Sequence, residues 1–317
     1  MRERGTVTMS MENRTDVVPE VENGMNVQNG TVEIPDVYST ITATPGVQAR
    51  LAKIIAVWGD NGITTLSTAL ASELAQSGKQ VLLINTNKIV PANAVWHINE
   101  PVPKEKSIIN LLRNEEITSA TIARYFAIDS KGQTNIATLA YCDGDNILIG
   151  NEEAPYSTYV QLLKSAQSIV DYIIIDCSKE ISDMMTLAAF QFADLQVIAL
   201  TPDARGVQFY KANVPLLSNE QFNNCKRIYL ANLSTNDNDI YAFGDVIHNE
   251  ICAVLPTDDG IRKSVALGDY LNVSKYTGHR YNKGLRKLLS VVTGDLSLGS
   301  EPEPKKRKTK EKRKKKE

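Results

Sequence analysis

Gly59, Gly62, Thr64 and Thr65 stand in the stretch VWGDNGITTLSTALA, Val57 to Ala71, at the spacing of a loop that wraps phosphate. Glycines in such a loop let backbone N–H groups close around phosphate oxygens, the following helix adds partial positive charge, and a Ser/Thr hydroxyl holds Mg2+. A lysine normally completes the set by neutralising the β- and γ-phosphates. Here Ile63 occupies the lysine position. Taken alone, G-x-x-G-x-T-T also reads as a tight strand-to-helix turn with Thr64 as a helix-start residue.

The elements around the loop are written in alternating patterns. KIIAVW reads as a buried strand, and Ile63 to Gln76 as a helix with Leu66, Leu70 and Leu74 on one face, stopped by Gly78. QVLLIN is the next buried strand and completes a β-α-β unit. Helices around Ser107 to Arg113 and Ser157 to Val170 flank a strand near TNIATLAY. Then follow the strand DYIIIDC with Asp176, a helix over Met184 to Phe192, the strand LQVIAL, a helix over Arg205 to Leu217, the strand RIYLAN and a last helix from His279 to Val292. Short apolar strands separated by amphipathic helices predict an α/β fold, a doubly wound and mainly parallel sheet with helices on both faces. Ligands bind such sheets beyond the carboxyl ends of the strands, which here means just after Trp58, Ile84, Ile175, Leu200 and Ala231.

Over most of residues 53 to 292 the chain resembles the MinD/ParA family of P-loop ATPases, whose loop reads K-G-G-x-G-K-T-T. WGDNGITT, Trp58 to Thr65, aligns with it without gaps. LLINTN matches the strand ending in D-x-D, YIIIDCS the Walker B strand with Asp176, and ADLQVIALTPD the segment after the next helix. YLANL matches the strand whose asparagine, here Asn232, meets the nucleotide base. AVLPTDDGIRKSVALGDYL is similar to the P-x-D, helix and glycine that follow. The resemblance implies a Rossmann-like P-loop NTPase fold, ATP or ADP as ligand, and a homodimer closed across the nucleotide face. It places the nucleotide against Gly59, Asp60, Asn61, Gly62, Ile63, Thr64, Thr65, Asn232 and Pro256, and Mg2+ against Thr64 and Asp176.

The departures fall on the charged positions. The family's signature lysine, which reaches the partner's phosphates, aligns with Trp58, and the loop lysine with Ile63. Asp60 replaces the second glycine and is expected to bring a carboxylate near the phosphates. Asn85 and Asn87 replace the D-x-D carboxylates, and an amide neither acts as a base nor gives a metal a full negative charge. Catalysis of phosphoryl transfer rests on positioning and charge neutralisation. At about 1.5 to 3 kcal/mol for each hydrogen bond to a charged group, losing two lysines weakens triphosphate binding by roughly hundreds- to ten-thousands-fold. A helix N-terminus returns only about 0.3 to 2 kcal/mol. Bound nucleotide is therefore expected to be weak, with Ile63, Asn85 and Asn87 as degenerate catalytic positions and hydrolysis impaired. Lys88 is expected to be either a compensating cation or a solvated loop residue. Trp58 and Trp96 read as core or interface aromatics, and a dimer here would lean on apolar contact at Trp58. Arg205 and the pair Arg262 and Lys263 read as partner-facing or simply solvated.

Composition sets the wider frame. The net charge of −2 hides an asymmetry, because ten of the 35 Lys+Arg lie in KKRKTKEKRKKK, Lys305 to Lys316. Without that tail and its two acids, 25 basic face 35 acidic residues, about −10. The expected organisation is a loosely attached segment 1–48, a P-loop NTPase-like domain 49–294 and a flexible polybasic tail 295–317. VQNGTVEI in the first segment has the form of a short hairpin. The four cysteines and three histidines are scattered, without metal-ligand or disulfide spacing. No apolar run approaches the roughly 20 residues of a membrane span, and the N-terminus has no signal-peptide core. A cytoplasmic protein is expected, peripheral at the inner membrane face or on the nucleoid.

The tail lacks the apolar residues of the MinD membrane anchor. Solubility, anionic lipid and nucleic-acid phosphate all remain open as its role. YIIIDCSKEISDMM, TPDARGVQFYKANVPLL and LPTDDGIRKSVALGDYL resemble TadZ/CpaE-like members of the family. That likeness implies a nucleotide switch or pseudo-ATPase that positions a bacterial pilus, secretion or conjugation-type assembly, with a secretion-type ATPase or scaffold proteins as partners. The alternative is a ParA-like partition factor that uses the tail to bind DNA without sequence preference.

Overall fold

The computed structural model describes residues 51–114, 116–128, 135–145, 154–235 and 238–295. The hairpin expected at Val27 to Ile34 and the polybasic tail lie outside them.

Eight strands form one sheet: β1 (Lys53–Gly59), β2 (Val81–Asn85), β3 (Ala127–Ile128), β4 (Ile136–Leu139), β5 (Tyr172–Asp176), β6 (Leu195–Leu200), β7 (Lys226–Ser234) and β8 (Ile251–Pro256). Their spatial order is β3-β4-β2-β5-β1-β6-β7-β8. Every pairing is parallel except β3 with β4. The doubly wound, mainly parallel sheet expected from the alternating pattern is present. The antiparallel β3 was not anticipated, since two residues carry no readable period.

The helices are α1 (Ile63–Gln76), α2 (Asn93–Trp96), α3 (Ile108–Asn114), α4 (Ser119–Arg124), α5 (Tyr156–Ala166), α6 (Met184–Phe192), α7 (Ala204–Leu217), α8 (Ile240–Ile247), α9 (Asp259–Ala266) and α10 (His279–Thr293). A 3-10 segment spans Tyr270–Lys275. Side chains alternate between the two faces of each strand, so β1 feeds two separate cores. Ile54, Ala56 and Trp58 pack with residues of α5 and α6, whereas Ile55 and Val57 pack with α1 and α10. Leu66, Leu70 and Leu74 are fully buried, as their spacing on α1 required.

Helix α10 sits directly on β8. A Cβ at Gly284 would lie 2.2 Å from the carbonyl oxygen of Val254, so only glycine permits this approach. Gly284→Ala should force the helix off the strand and cost about 2 to 3 kcal/mol, read as a lowered urea midpoint with an unchanged slope.

Candidate functional site

The carboxyl ends of β1, β2, β5, β6, β7 and β8 open on one side of the parallel sheet, and the residues singled out by sequence gather there. Strand β1 stops at Gly59, where a Cβ would lie 1.7 Å from the carbonyl oxygen of Ala199 on β6. Gly62 has φ +70° and ψ 18° and starts α1. This left-handed conformation is routine only for glycine. A Cβ there would also meet Asn232 Nδ2 at 2.9 Å. The same Nδ2 donates to the carbonyl oxygen of Asn61 at 2.8 Å. Asn232 is thus brought to the loop, and its amide holds the loop backbone. Leu233 follows it with φ 54°, at an irregularity in the β7–β8 pairing. No side chain caps the N-terminus of α1, which leaves this end of the helix open to an anion.

The two positions that carry lysine in the resembled loop point into the protein. Trp58 is 0% exposed, with its ring against Phe209 at 4.7 Å and Phe190 at 5.7 Å between centroids. It is an internal core residue, so the expected apolar dimer contact at Trp58 does not exist. The physical reason is strand parity, which turns residue 58 toward the α6 layer. Trp96 is buried as well and donates to Thr68 Oγ1 at 2.9 Å. Ile63 is 7% exposed and belongs to the core shared with Val57 and Ala199.

Asp60 also departs from expectation. Its carboxylate is buried, accepts from the backbone N–H of Thr201 at 2.8 Å and from Asn61 Nδ2 at 3.0 Å, and so ties the loop to the end of β6. It is not presented to a phosphate site.

Asp176 is the buried acid of the site. Asn85 Nδ2 donates to it at 2.6 Å and Ser67 Oγ at 3.4 Å, and Thr64 hydrogen-bonds to it as well. Burial raises its pKa to about 6, with the hydrogen bonds from Thr64, Asn85 and Ser67 opposing the rise. The neighbouring Cys177 thiol is pushed well up by burial and by the charges of Asp176 and Asp183, so it remains protonated and is no nucleophile. Asn85 Oδ1 is buried and has no hydrogen-bond partner among the described residues. Asn87 Oδ1 accepts from the backbone N–H of Ile89 and Val90, at 3.0 and 2.9 Å. That amide closes a turn of its own loop. Lys88 is not solvated, since it pairs with Asp183 at 2.9 Å with its side chain 14% exposed.

Thr65 shares a 2.5 Å hydrogen bond with the Tyr270 hydroxyl. Pro256, at the end of β8, lines a cavity of about 560 Å3 with Ser234, Thr235, Thr257, Asp258 and Arg280. Arg205 is 83% exposed and pairs with Asp203, and Arg262 and Lys263 are exposed on α9.

One residue was missed from the sequence. Lys179 Nζ donates to Asn61 Oδ1 at 3.2 Å, and Trp58 Nε1 donates to the carbonyl oxygen of Lys179 at 3.2 Å. Its position three residues past the β5 acid, at a strand's carboxyl end, was the available signal. Thr64 Oγ1 and the Asp176 carboxylate, in hydrogen-bond contact, are oxygen donors of the kind Mg2+ takes. The described residues hold no His/Cys/Asp/Glu cluster able to bind a metal by itself.

A parallel sheet with a glycine loop opening a helix and an acid on the adjacent strand defines a P-loop NTPase-type protein. Residues 52–223 match the family model AAA_31, an AAA domain, and the chain belongs to that family. Solved structures with the same fold are MinD and ParA ATPases, as the sequence resemblance implied. MinD complexed with Mg-ADP from Pyrococcus horikoshii OT3 is 17% identical with TM-score 0.62, covering 80% of this chain and 100% of that one. The MinC:MinD cell division complex of Aquifex aeolicus gives 16% and 0.62 over 79% and 98%. A ParA family ATPase from Chlorobium tepidum TLS gives 16% and 0.60 over 76% and 98%. No curated protein sequence matches the chain significantly.

Two consequences are measurable. The Asp176 carboxyl holds its proton to higher pH in the native state than in the unfolded chain. The stability it contributes is complete below about pH 4 and is lost as pH rises through about 6. Asp176→Asn removes that loss and should stabilise the protein at pH 7.5 by about 2 to 3 kcal/mol. Melting temperatures should show the gain vanishing below pH 4. Trp58→Lys should lower stability at pH 7.5 by at least about 3 kcal/mol, seen as a large fall in denaturant midpoint, because the new ammonium starts inside the core.

Proposed function

We propose that this chain is a MinD/ParA-type switch protein that accepts adenine nucleotide weakly, hydrolyses it poorly or not at all, and positions or scaffolds a bacterial pilus, secretion or conjugation-type assembly. The observation that carries impaired hydrolysis is the fate of the two asparagines. Asn85 donates to Asp176, Asn87 closes its own turn, and neither offers an acid–base group to an attacking water. The open N-terminus of α1, Asn232 against the loop and the oxygen set at Asp176 support retained binding. If Mg2+ accompanies the nucleotide, Thr64 and Asp176 would hold it, and it would neutralise phosphate charge.

The assembly role draws on the TadZ/CpaE-like segments around Asp176, Arg205 and Asp258. A homodimer across the nucleotide face fits the family. Partner recruitment fits a fold that Aquifex MinD shares while in complex with MinC.

Calorimetry and phosphate release on the full chain test this reading. Mg-ATP should bind without phosphate release above the buffer blank, and Ile63→Lys should bind at least about ten-fold tighter. Sustained turnover by the wild type would overturn impaired hydrolysis. A folded Ile63→Lys variant without added affinity would overturn the placement of Ile63 at the loop-lysine position.

The polybasic stretch Lys305 to Lys316 favours a second reading, a ParA-like partition factor that binds DNA without sequence preference. It requires DNA affinity that falls by about 10³-fold or more between 50 and 200 mM salt and disappears on removal of residues 305–317. Anisotropy with a labelled duplex measures both, and salt-insensitive or tail-independent binding excludes it.

A further inference from the structure

We propose that Lys179, on the segment after β5, supplies the positive charge at the phosphate loop that Trp58 and Ile63 do not. Its ligand is the phosphate chain of a nucleoside di- or triphosphate. The proposal rests on the reading that the loop still accepts nucleotide.

The ammonium is already at the loop. Lys179 Nζ lies 3.2 Å from Oδ1 of Asn61, between the two glycines. The lysine-bearing segment is held on three sides. Cys177 N–H donates to the Val57 carbonyl at 3.0 Å, Ser178 N–H to Thr86 Oγ1 at 2.7 Å, and the Lys179 carbonyl accepts from the Trp58 indole at 3.2 Å. The side chain at position 58 therefore positions a lysine in place of being one.

The present partner of Lys179 is a neutral amide oxygen, and among the described residues the lysine makes no ion pair. A phosphate oxygen offers the same ammonium an acceptor of opposite charge, which adds Coulombic attraction to the hydrogen bond. The carboxylate next to Asn61 is already engaged, because Asp60 is buried and its two oxygens accept from the Thr201 N–H and Asn61 Nδ2. Asn85, 2% exposed, donates its Nδ2 to Asp176, which Thr64 of α1 also meets, and its Oδ1 has no partner among the described residues.

The substitution that separates charge from tethering is Lys179→Gln, whose amide N–H2 can still donate to Asn61. Mg-ATP, Mg-ADP and AMP are titrated by calorimetry into the full-length wild type, Lys179→Gln and Lys179→Arg, with melting temperatures without ligand as the fold control. The glutamine variant should melt like the wild type and bind Mg-ATP about ten-fold or more weakly. The loss should be larger for Mg-ATP than for AMP, and the arginine variant should stay within about three-fold of the wild type. Wild-type binding with unchanged affinity in Lys179→Gln would overturn the role of Lys179 while leaving the nucleotide reading intact. No binding by the wild type at millimolar Mg-ATP would overturn the nucleotide reading itself.

Discussion

Strand β1 runs through the middle of the sheet with parallel neighbours on both sides and helices on both faces. A strand in that place has no solvent side, so each residue up to the loop must fill one of two cores. The last side chain before the loop, Trp58, falls on the face that packs with α6 and α7. Everything at the site follows from that. An ammonium at this position would be buried among aromatic rings, and the indole instead reaches the carbonyl of Lys179. Gly59 then passes so close to Ala199 that no side chain fits there.

Most polar groups of the site satisfy one another. Asp60 is taken by Thr201, Asp176 by Asn85, Thr64 and Ser67, Thr65 by Tyr270, and the Asn61 carbonyl by Asn232. Amides suit this closure because they donate as well as accept. With Asn in place of Asp at position 85, a second carboxylate does not repel Asp176, and the pocket holds together without a cation. The arrangement keeps the P-loop fold with no lysine at position 58 or 63 and with amides at 85 and 87. Asn85 Oδ1 and Thr201 Oγ1 are buried there without a hydrogen-bond partner among the described residues.

Much of the scaffold was legible in the sequence. Helices α1 and α6 and strand β6 have the bounds their patterns marked, because a full amphipathic face or an unbroken apolar run is a local signal. Helix α5 ends at Ala166, short of the expected Val170, where the chain turns to enter β5. Helices α2 and α4 and strand β3 are too short to show a period. Helix α8 was missed although Asp239 caps it, since Gly244 interrupts its eight residues. At the site, Gly59, Gly62 and Thr64 were found by spacing and Asp176 and Asn232 by the family resemblance, and the structure gathers them at the same end of the sheet.

The sequence by itself determined the class of fold, the glycine loop ahead of α1, the family and the absence of lysine from both expected positions, because these depend on residue type and order. Only the tertiary structure decided where the side chains point. Burial on both faces of β1 made Trp58 core and not interface, and the β6 end claimed the Asp60 carboxylate. The return of β5 beside β1 brought Lys179 to Asn61 across 118 residues of chain. Such contacts are set by strand parity and sheet order, which no local pattern of residues records.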